Sequence, residues 1–334
     1  MDADDGALPG LERAGLVRSV RTPEFEGVTF HEVLCKSALN RTPEASRLPF
    51  RYTVNTFRGC THACRYCFAR PTHEYLDLDG GHDFDSQLVV KTNVAAVLRR
   101  ELARRSWTRE HVALGTNTDP YQRAEGRYRL MPGVIRAFAE SGTPFSILTK
   151  GTLLRRDLPL LSLAAGQVDV SVAVSLPIGD PELAAHIEPG TPSPKARLDL
   201  VKAVVDAGLS CHVMVAPVLP FLTDSRQHLD TLFGLAAAGA SGVTVIPLHL
   251  RGSTRGWFLS WLAQEHPALM RRYRRLYGRG AYVAPEYSQW LDERVAPLLE
   301  RHRLGVRASA RREERGALRA DERVPEPEAA LTLF

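Results

Sequence analysis

Three of the five cysteines in this 334-residue chain fall within one short stretch, Gly59-Cys60-Thr61-His62-Ala63-Cys64-Arg65-Tyr66-Cys67-Phe68, with the spacing C-x3-C-x2-C. Thiolates this close on one loop can converge on a single metal centre. Around a [4Fe-4S] cluster, three protein thiolates leave one iron without a protein ligand. That iron is a place for a small molecule to bind and for an electron to be delivered. The competing reading is a structural Cys3His zinc site completed by His62. Zinc ligands usually come as two separated pairs, and His62, between the first two cysteines, is awkward for tetrahedral convergence. A disulfide across loops this short would be strained.

The elements around this loop follow from patterning. Hydrophobic residues make up 44% of the chain and the net charge is +5, which permits an anionic partner without demanding one. No apolar run reaches 18 residues, so no membrane helix is expected. The acidic start, Met1-Asp2-Ala3-Asp4-Asp5, does not read as a signal peptide, and a cytoplasmic location is expected. Strand patterns occupy residues 50–55, 111–115, 144–149, 168–175, 211–216 and 242–246, with a further short strand at 28–34. Helical spacing occupies 93–105, 132–141, 158–165, 194–207, 225–238 and 287–302. Strands alternating with helices imply a parallel α/β sheet with right-handed crossovers. Six such strands are too few for a closed eight-stranded barrel. In parallel α/β folds the chemistry sits just past the carboxyl ends of the strands.

The cysteine spacing, with the aromatic Tyr66 directly before the last cysteine, resembles the radical S-adenosylmethionine (radical SAM) superfamily. The resemblance implies a partial (β/α)6 barrel. It also implies a [4Fe-4S] cluster on Cys60, Cys64 and Cys67, with S-adenosylmethionine chelated to the open iron. One electron, from a donor of the flavodoxin or ferredoxin kind, cleaves the cofactor to a 5′-deoxyadenosyl radical that takes hydrogen from a substrate. Tyr66 and Phe68 are then candidate cofactor contacts. So is the cluster Asn117-Thr118-Asp119 after the second strand: Asp119 can accept from the cofactor's ammonium, and Asn117 and Thr118 can supply oxygens. The same stretch also reads as an ordinary Asx/Pro turn. Lys150, after the third strand, can face a carboxylate or simply be solvated. Ser175, after the fourth, can meet a ribose hydroxyl. Arg197, in the first turn of the next helix, can clamp a carboxylate or form a plain ion pair, and Glu188 can hold Arg197 or the ribose.

Within the superfamily, Arg58-Gly59-Cys60, Gly115-Thr116, Thr118-Asp119-Pro120-Tyr121-Gln122, Leu148-Thr149-Lys150, Arg156-Asp157, Glu188-Pro189-Gly190 and Arg197-Leu198 resemble the branch related to spore photoproduct lyase, the DNA repair lyases. The likeness covers roughly residues 45–250, and the nearest subgroup is a set of uncharacterised actinobacterial proteins. It implies nucleic acid, and DNA in particular, as substrate. RNA, protein or a small molecule is the alternative, and a non-catalytic zinc or iron–sulfur nucleic-acid-binding module a third reading. One departure is plain: those lyases carry a further cysteine downstream that returns a hydrogen atom to the product, and this chain has no cysteine between Cys67 and Cys211.

Four regions are expected: an N-terminal extension over 1–45, the radical SAM core over 46–250, a C-terminal helical appendage over 251–306, and a charged, disordered tail over 307–334. Cys35 and Cys211 read as packed small hydrophobes. Residues 251–280 interleave seven arginines with aromatic residues, a pattern for phosphate and base contacts. Phe258, Trp261, Tyr273 and Leu276 equally fit a helical core stripe. Arg271, Arg272 and Arg275 are the candidate nucleic-acid contacts. The chain end, Ala330-Leu331-Thr332-Leu333-Phe334, resembles the short peptide that docks on bacterial sliding clamps, with alanine in place of its glutamine; docking back on its own barrel is the other expectation.

Overall fold

The computed structural model describes residues 9–43 and 48–305. Among these residues, eleven strands make two sheets. In chain order they are β1 (Leu16–Arg21), β2 (Thr29–Val33), β3 (Leu39–Arg41), β4 (Tyr52–Val54), β5 (Phe57–Arg58), β6 (Gln87–Lys91), β7 (Val112–Leu114), β8 (Phe145–Thr149), β9 (Val170–Ser175), β10 (Cys211–Val218) and β11 (Gly242–Pro247).

The larger sheet has the order β11-β10-β9-β8-β7-β4-β3. Its six strands from β4 to β11 run parallel, and β3 closes one edge antiparallel to β4. These six are the strands expected from sequence, and the open sheet they form is a partial barrel. The crossover helices are Val94–Leu102, Met131–Ser141, Leu158–Ala165, Pro194–Asp206 and Arg226–Ala236. The Ser193 hydroxyl accepts from the Ala196 amide at 3.2 Å and the Ser225 hydroxyl from the His228 amide at 3.1 Å, so each caps a helix start that would otherwise leave amides unpaired. Alternate residues of the strands form one continuous core beneath the helices, with Val172, Val174, Val213, Val215 and Val243 almost fully buried, while the residues between them, such as Ser171, Ala173, His212 and Met214, are half-buried.

The smaller sheet has the order β1-β2-β6-β5. Only β2 was foreseen. Strand β6 lies between the cysteine loop and the first crossover helix, and its run Leu88-Val89-Val90 is too short to declare itself against the flanking polar residues. It runs parallel to β2 and antiparallel to the two-residue β5. Because β5 ends at Arg58, this sheet fixes the point where the chain enters the cysteine loop.

The appendage comprises the helices Thr254–Glu265, Met270–Tyr277 and Pro285–Arg301. Four of its aromatics are core: Phe258 and Tyr273 are fully buried and Trp261 and Tyr277 nearly so, whereas Trp290 is exposed. The Tyr273 and Tyr277 hydroxyls donate to the carbonyls of Pro220 and Leu248 at 2.9 and 2.8 Å, which ties the appendage to the ends of β10 and β11. The tail over 307–334, with its apolar Leu331–Phe334 end, lies outside the described residues.

One buried carboxylate locks the edge of the larger sheet. Glu101 accepts from the Ala38 and Leu39 amides at 3.0 and 2.9 Å and from the Ser37 hydroxyl at 2.7 Å. Glu101→Ala strands these donors, at about 1–3 kcal/mol for each one left buried and unpaired. The expected result is a lower urea midpoint with faster amide exchange at Ala38 and Leu39. An unchanged midpoint would contradict it.

Candidate active site

The cysteine loop has almost no secondary structure of its own, yet Cys60 and Cys64 are 7% exposed and all three of its thiols are free. Its buried peptide groups must therefore be satisfied from elsewhere. Gly59 sits at φ +84°, a conformation that favours glycine. Its carbonyl accepts from the Thr118 hydroxyl at 2.7 Å and the Gln122 side-chain amide at 3.1 Å. The other end of the same Gln122 amide accepts from the Thr61 amide at 2.8 Å, so one fully buried side chain brackets Cys60. The Cys60 amide itself donates to the Phe84 carbonyl at 3.0 Å. On the far side, the Arg65 amide donates to the Ile187 carbonyl at 2.9 Å and the Gly190 amide to the His62 carbonyl at 3.1 Å. The Glu188-Pro189-Gly190 turn thus lies directly on the loop.

Asp119 anchors a second layer. Its Oδ1 accepts from the Tyr121 amide at 2.8 Å and the Thr149 hydroxyl at 2.5 Å, and its Oδ2 from the Lys150 amide at 2.6 Å. His62 Nδ1 lies 3.3 Å from Oδ2. Burial opposes the charge on this carboxylate, but His62 and these donors outweigh it and hold the group below the usual range. Thr118 and Asp119 are therefore engaged by this chain's own groups, the first on the cysteine loop and the second between the ends of β7 and β8. The Asn117 amide donates to Asn55 Oδ1 at 3.2 Å.

The five remaining internal candidates come together. Tyr66 donates its hydroxyl to Glu188 Oε1 in a very short hydrogen bond. Glu188 Oε2 lies 2.7 Å from Arg197 Nη2, with both side chains fully buried. Lys150 Nζ donates to Ser175 Oγ at 2.8 Å, lies 3.8 Å from Glu188 Oε1 and stands 5.7 Å from the Tyr66 ring centre. Arg197 Nη1 donates to the Ser175 carbonyl at 3.2 Å. Burial works against the charge of Glu188, and Arg197, Lys150 and Tyr66 overcome it, so its carboxyl is held low. Burial and the Glu188 charge push the Tyr66 phenol up, so it remains a donor. The network adjoins Cys64, whose thiol is pushed up by burial and feels the charges of Lys150, Glu188 and Arg197. Glu188 Oε2 and Arg197 Nη2 face each other as a buried ion pair, and Arg197 Nε is buried without a hydrogen-bond partner.

A family model described as the radical SAM superfamily matches residues 54–232. An uncharacterised protein of Mycobacterium tuberculosis is 72% identical over 305 residues, which is 91% of this chain and 90% of the relative. The chain belongs to the radical SAM superfamily. A more distant relative, an uncharacterised protein of Methanocaldococcus jannaschii, is 27% identical over 176 residues, 52% of this chain and 62% of its own length. Among solved structures, a mutant of spore photoproduct lyase with bound AdoMet and dinucleoside spore photoproduct superposes with a TM-score of 0.62 at 17% identity, covering 82% of this chain and 79% of that one. The structure of another mutant of the same lyase gives a TM-score of 0.61 over the same coverage. The shared fold is therefore that of spore photoproduct lyase. As a radical SAM protein the chain is an enzyme, and membership implies S-adenosylmethionine and a [4Fe-4S] cluster as its cofactors. No helix among the described residues is long and apolar enough to cross a membrane.

Two sequence candidates stand apart from the network. Phe68 is 55% exposed and turns to solvent. Arg271, Arg272 and Arg275 lie on the exposed side of the helix Met270–Tyr277, where Arg272 packs 3.8 Å over the Phe221 ring centre. Sequence reasoning missed Gln122 as a support of the loop and missed Arg70 altogether. The only signal for Gln122 was its place in the polar run after β7. Arg70 had none, because most of its partners are backbone carbonyls and its one carboxylate partner, Asp85, lies fifteen residues on.

The contact between the Glu188 turn and the cysteine loop leaves no room for a side chain at Gly190, where a Cβ would stand 1.9 Å from the Thr61 carbonyl oxygen. Gly190→Ala is expected to lower Tm by several degrees and to reduce the iron retained after anaerobic reconstitution. Gly256→Ala, with nothing within 4 Å, serves as the control. Equal iron retention in both variants would show that the contact does not position the loop.

Proposed function

We propose that this enzyme holds a [4Fe-4S] cluster on Cys60, Cys64 and Cys67, binds S-adenosylmethionine against Tyr66, Lys150, Ser175, Glu188 and Arg197, and acts on nucleic acid. The observation that carries the reading is the buried polar network beside the cysteine loop. Glu188 and Arg197 pair with each other at 2.7 Å, with Lys150, Ser175 and Tyr66 beside them, and a zwitterionic, hydroxyl-bearing ligand suits the cations, carboxylate and hydroxyls gathered there. His62 Nδ1 is engaged by Asp119 at 3.3 Å, which supports three cysteines, and not Cys3His, as the ligand set.

When bound, the cluster and its cofactor supply one-electron cleavage of a sulfonium and hydrogen abstraction from a substrate. The chain supplies placement. Arg197 presents a fixed fork for a carboxylate. Glu188, kept ionised, accepts from hydroxyl or ammonium groups. Lys150, steadied by Ser175 and the Tyr66 ring, places a second cation at the same wall. Burial of the whole network excludes water from it.

For the substrate, two features agree. The helix Met270–Tyr277 exposes a row of arginines while its tyrosines are buried, so the charged face is free to meet phosphates. The structurally similar lyase binds a dinucleoside photoproduct. Anaerobic incubation with reductant and S-adenosylmethionine, with and without duplex or ultraviolet-irradiated DNA, tests this. Nucleic acid should increase or redirect the formation of 5′-deoxyadenosine; indifference to every nucleic acid tried would remove the substrate assignment.

Replacing Cys60, Cys64 or Cys67 by alanine is expected to abolish the brown cluster and cofactor cleavage. Cys35→Ala and Cys211→Ala should keep both, since Cys211 is buried in the core and Cys35 packs at its margin. Cofactor cleavage surviving in a triple alanine variant of the loop would sink the ligand assignment. The combined change Arg271→Ala, Arg272→Ala and Arg275→Ala should weaken DNA binding and flatten its dependence on salt by up to about three counterions' worth of slope, with cofactor cleavage unchanged. An identical salt titration would return this face to an ordinary solvated surface.

A further inference from the structure

Arg70 is fully buried three residues beyond the last cysteine of the loop. Its Nε and Nη2 donate to the Cys64 carbonyl at 3.2 and 3.0 Å. Its Nη1 donates to the Gly81 and Gly80 carbonyls at 2.6 and 3.3 Å. Its Nη2 also meets both oxygens of Asp85, at 3.0 and 2.9 Å. The guanidinium lies 4.7 Å from the Trp257 ring centre and 5.2 Å from that of Phe84. Trp257 comes from the appendage helix Thr254–Glu265, whose first residue donates its hydroxyl to the Cys67 carbonyl at 3.0 Å.

Closing a loop does not require an ion. A buried ion pair seldom adds stability over apolar residues of the same volume, because desolvation cancels the attraction. Here the pair is oriented. Its positive end rests on the backbone of a cluster cysteine, and its negative end, Asp85, is 18% exposed. The Cys67 carbonyl receives a second donor from the positive end of a helix.

Resting on the cluster assignment proposed above, we infer that Arg70, together with Thr254, is a positioning residue that raises the electron affinity of the cluster. An iron–sulfur potential responds to nearby charge, to hydrogen bonding and to exposure. Gaining one electron makes the cluster more negative by one charge, so a fixed cation and donors aimed at two of its three ligand residues favour the reduced form. The appendage contributes to this setting through Thr254 and Trp257, which places part of the redox control on the same unit that carries the arginine face.

The test is an anaerobic potentiometric titration followed by electron paramagnetic resonance on the full-length, reconstituted protein, without added S-adenosylmethionine. Arg70→Met is expected to lower the reduced-to-oxidised ratio at a fixed potential at least tenfold, equivalent to about 59 mV for a one-electron couple. Arg70→Lys should retain most of the wild-type ratio. Thr254→Val should move in the direction of Arg70→Met by a smaller factor. Asp85→Asn, which leaves the cation less compensated, should move the opposite way. A purely structural clasp predicts no such reversal of sign. Cluster-loaded variants that all titrate with wild type, or a downward move in Asp85→Asn, would overturn the inference. Should Arg70→Met fail to hold iron, Asp85→Asn and Thr254→Val decide by the same criteria. A wild-type protein that forms no [4Fe-4S] cluster would overturn the underlying assignment and this inference with it, an outcome distinct from a cluster whose potential ignores these residues.

Discussion

The cysteine loop buries peptide groups that it cannot pair within itself, and much of the architecture around it answers that need. Four separate parts of the chain reach in. The small sheet fixes the entry through β5 and β6. Gln122 and Thr118 arrive from the end of β7 and hold the two peptides around Cys60. The turn after Ile187 pairs with the backbone at His62 and Arg65. Arg70 and Thr254 take the carbonyls of Cys64 and Cys67. An unpaired buried amide or carbonyl costs about as much as a lost hydrogen bond. The loop's shape is therefore fixed by distant residues whose own positions depend on the sheet.

Two buried carboxylates at the mouth of the barrel illustrate how surroundings divide labour between chemically similar groups. Asp119 receives three hydrogen bonds and a histidine. Such a group is saturated and serves as a joint between strand ends. Glu188 is equally buried and faces two cations and a phenol, yet one of its oxygens has no hydrogen bond. A saturated carboxylate resists new partners; Glu188 is held by cations of opposite charge and a phenol and not by a full set of hydrogen bonds. The difference lies in geometry and not in residue type.

The appendage separates two readings that its composition mixes. Its tyrosines, Phe258 and Trp261 face the barrel and form core, while the arginines of Met270–Tyr277 face outward. Helical periodicity accounts for both, since residues three and four apart share a face. Aromatic stacking with bases is therefore not available from the buried tyrosines, and any polyanion held there is held by charge. Because Thr254 and Trp257 of the same unit touch the cysteine loop and Arg70, the unit is part of the loop's environment as well as a surface.

The sequence by itself determined the parts that depend on local spacing. The C-x3-C-x2-C run named the superfamily, and the six parallel strands were readable because each is a short β-branched run followed by a helical period. The residues after the strand ends were readable as a group because parallel strands carry all their carboxyl ends to one side. Tyr66, Lys150, Ser175, Glu188 and Arg197 do meet there. Only the tertiary structure decided their roles. It set Thr118 against Gly59, closed Asp119 within the protein, paired Glu188 with Arg197, and turned Phe68 to solvent. It also revealed β1, β5 and β6, whose pairing depends on partners far away in the chain, and Arg70, whose partners are chiefly peptide carbonyls that carry no mark in an amino-acid sequence. Spacing along a chain encodes which residues share an element; which buried atoms find a partner is settled only when the elements pack.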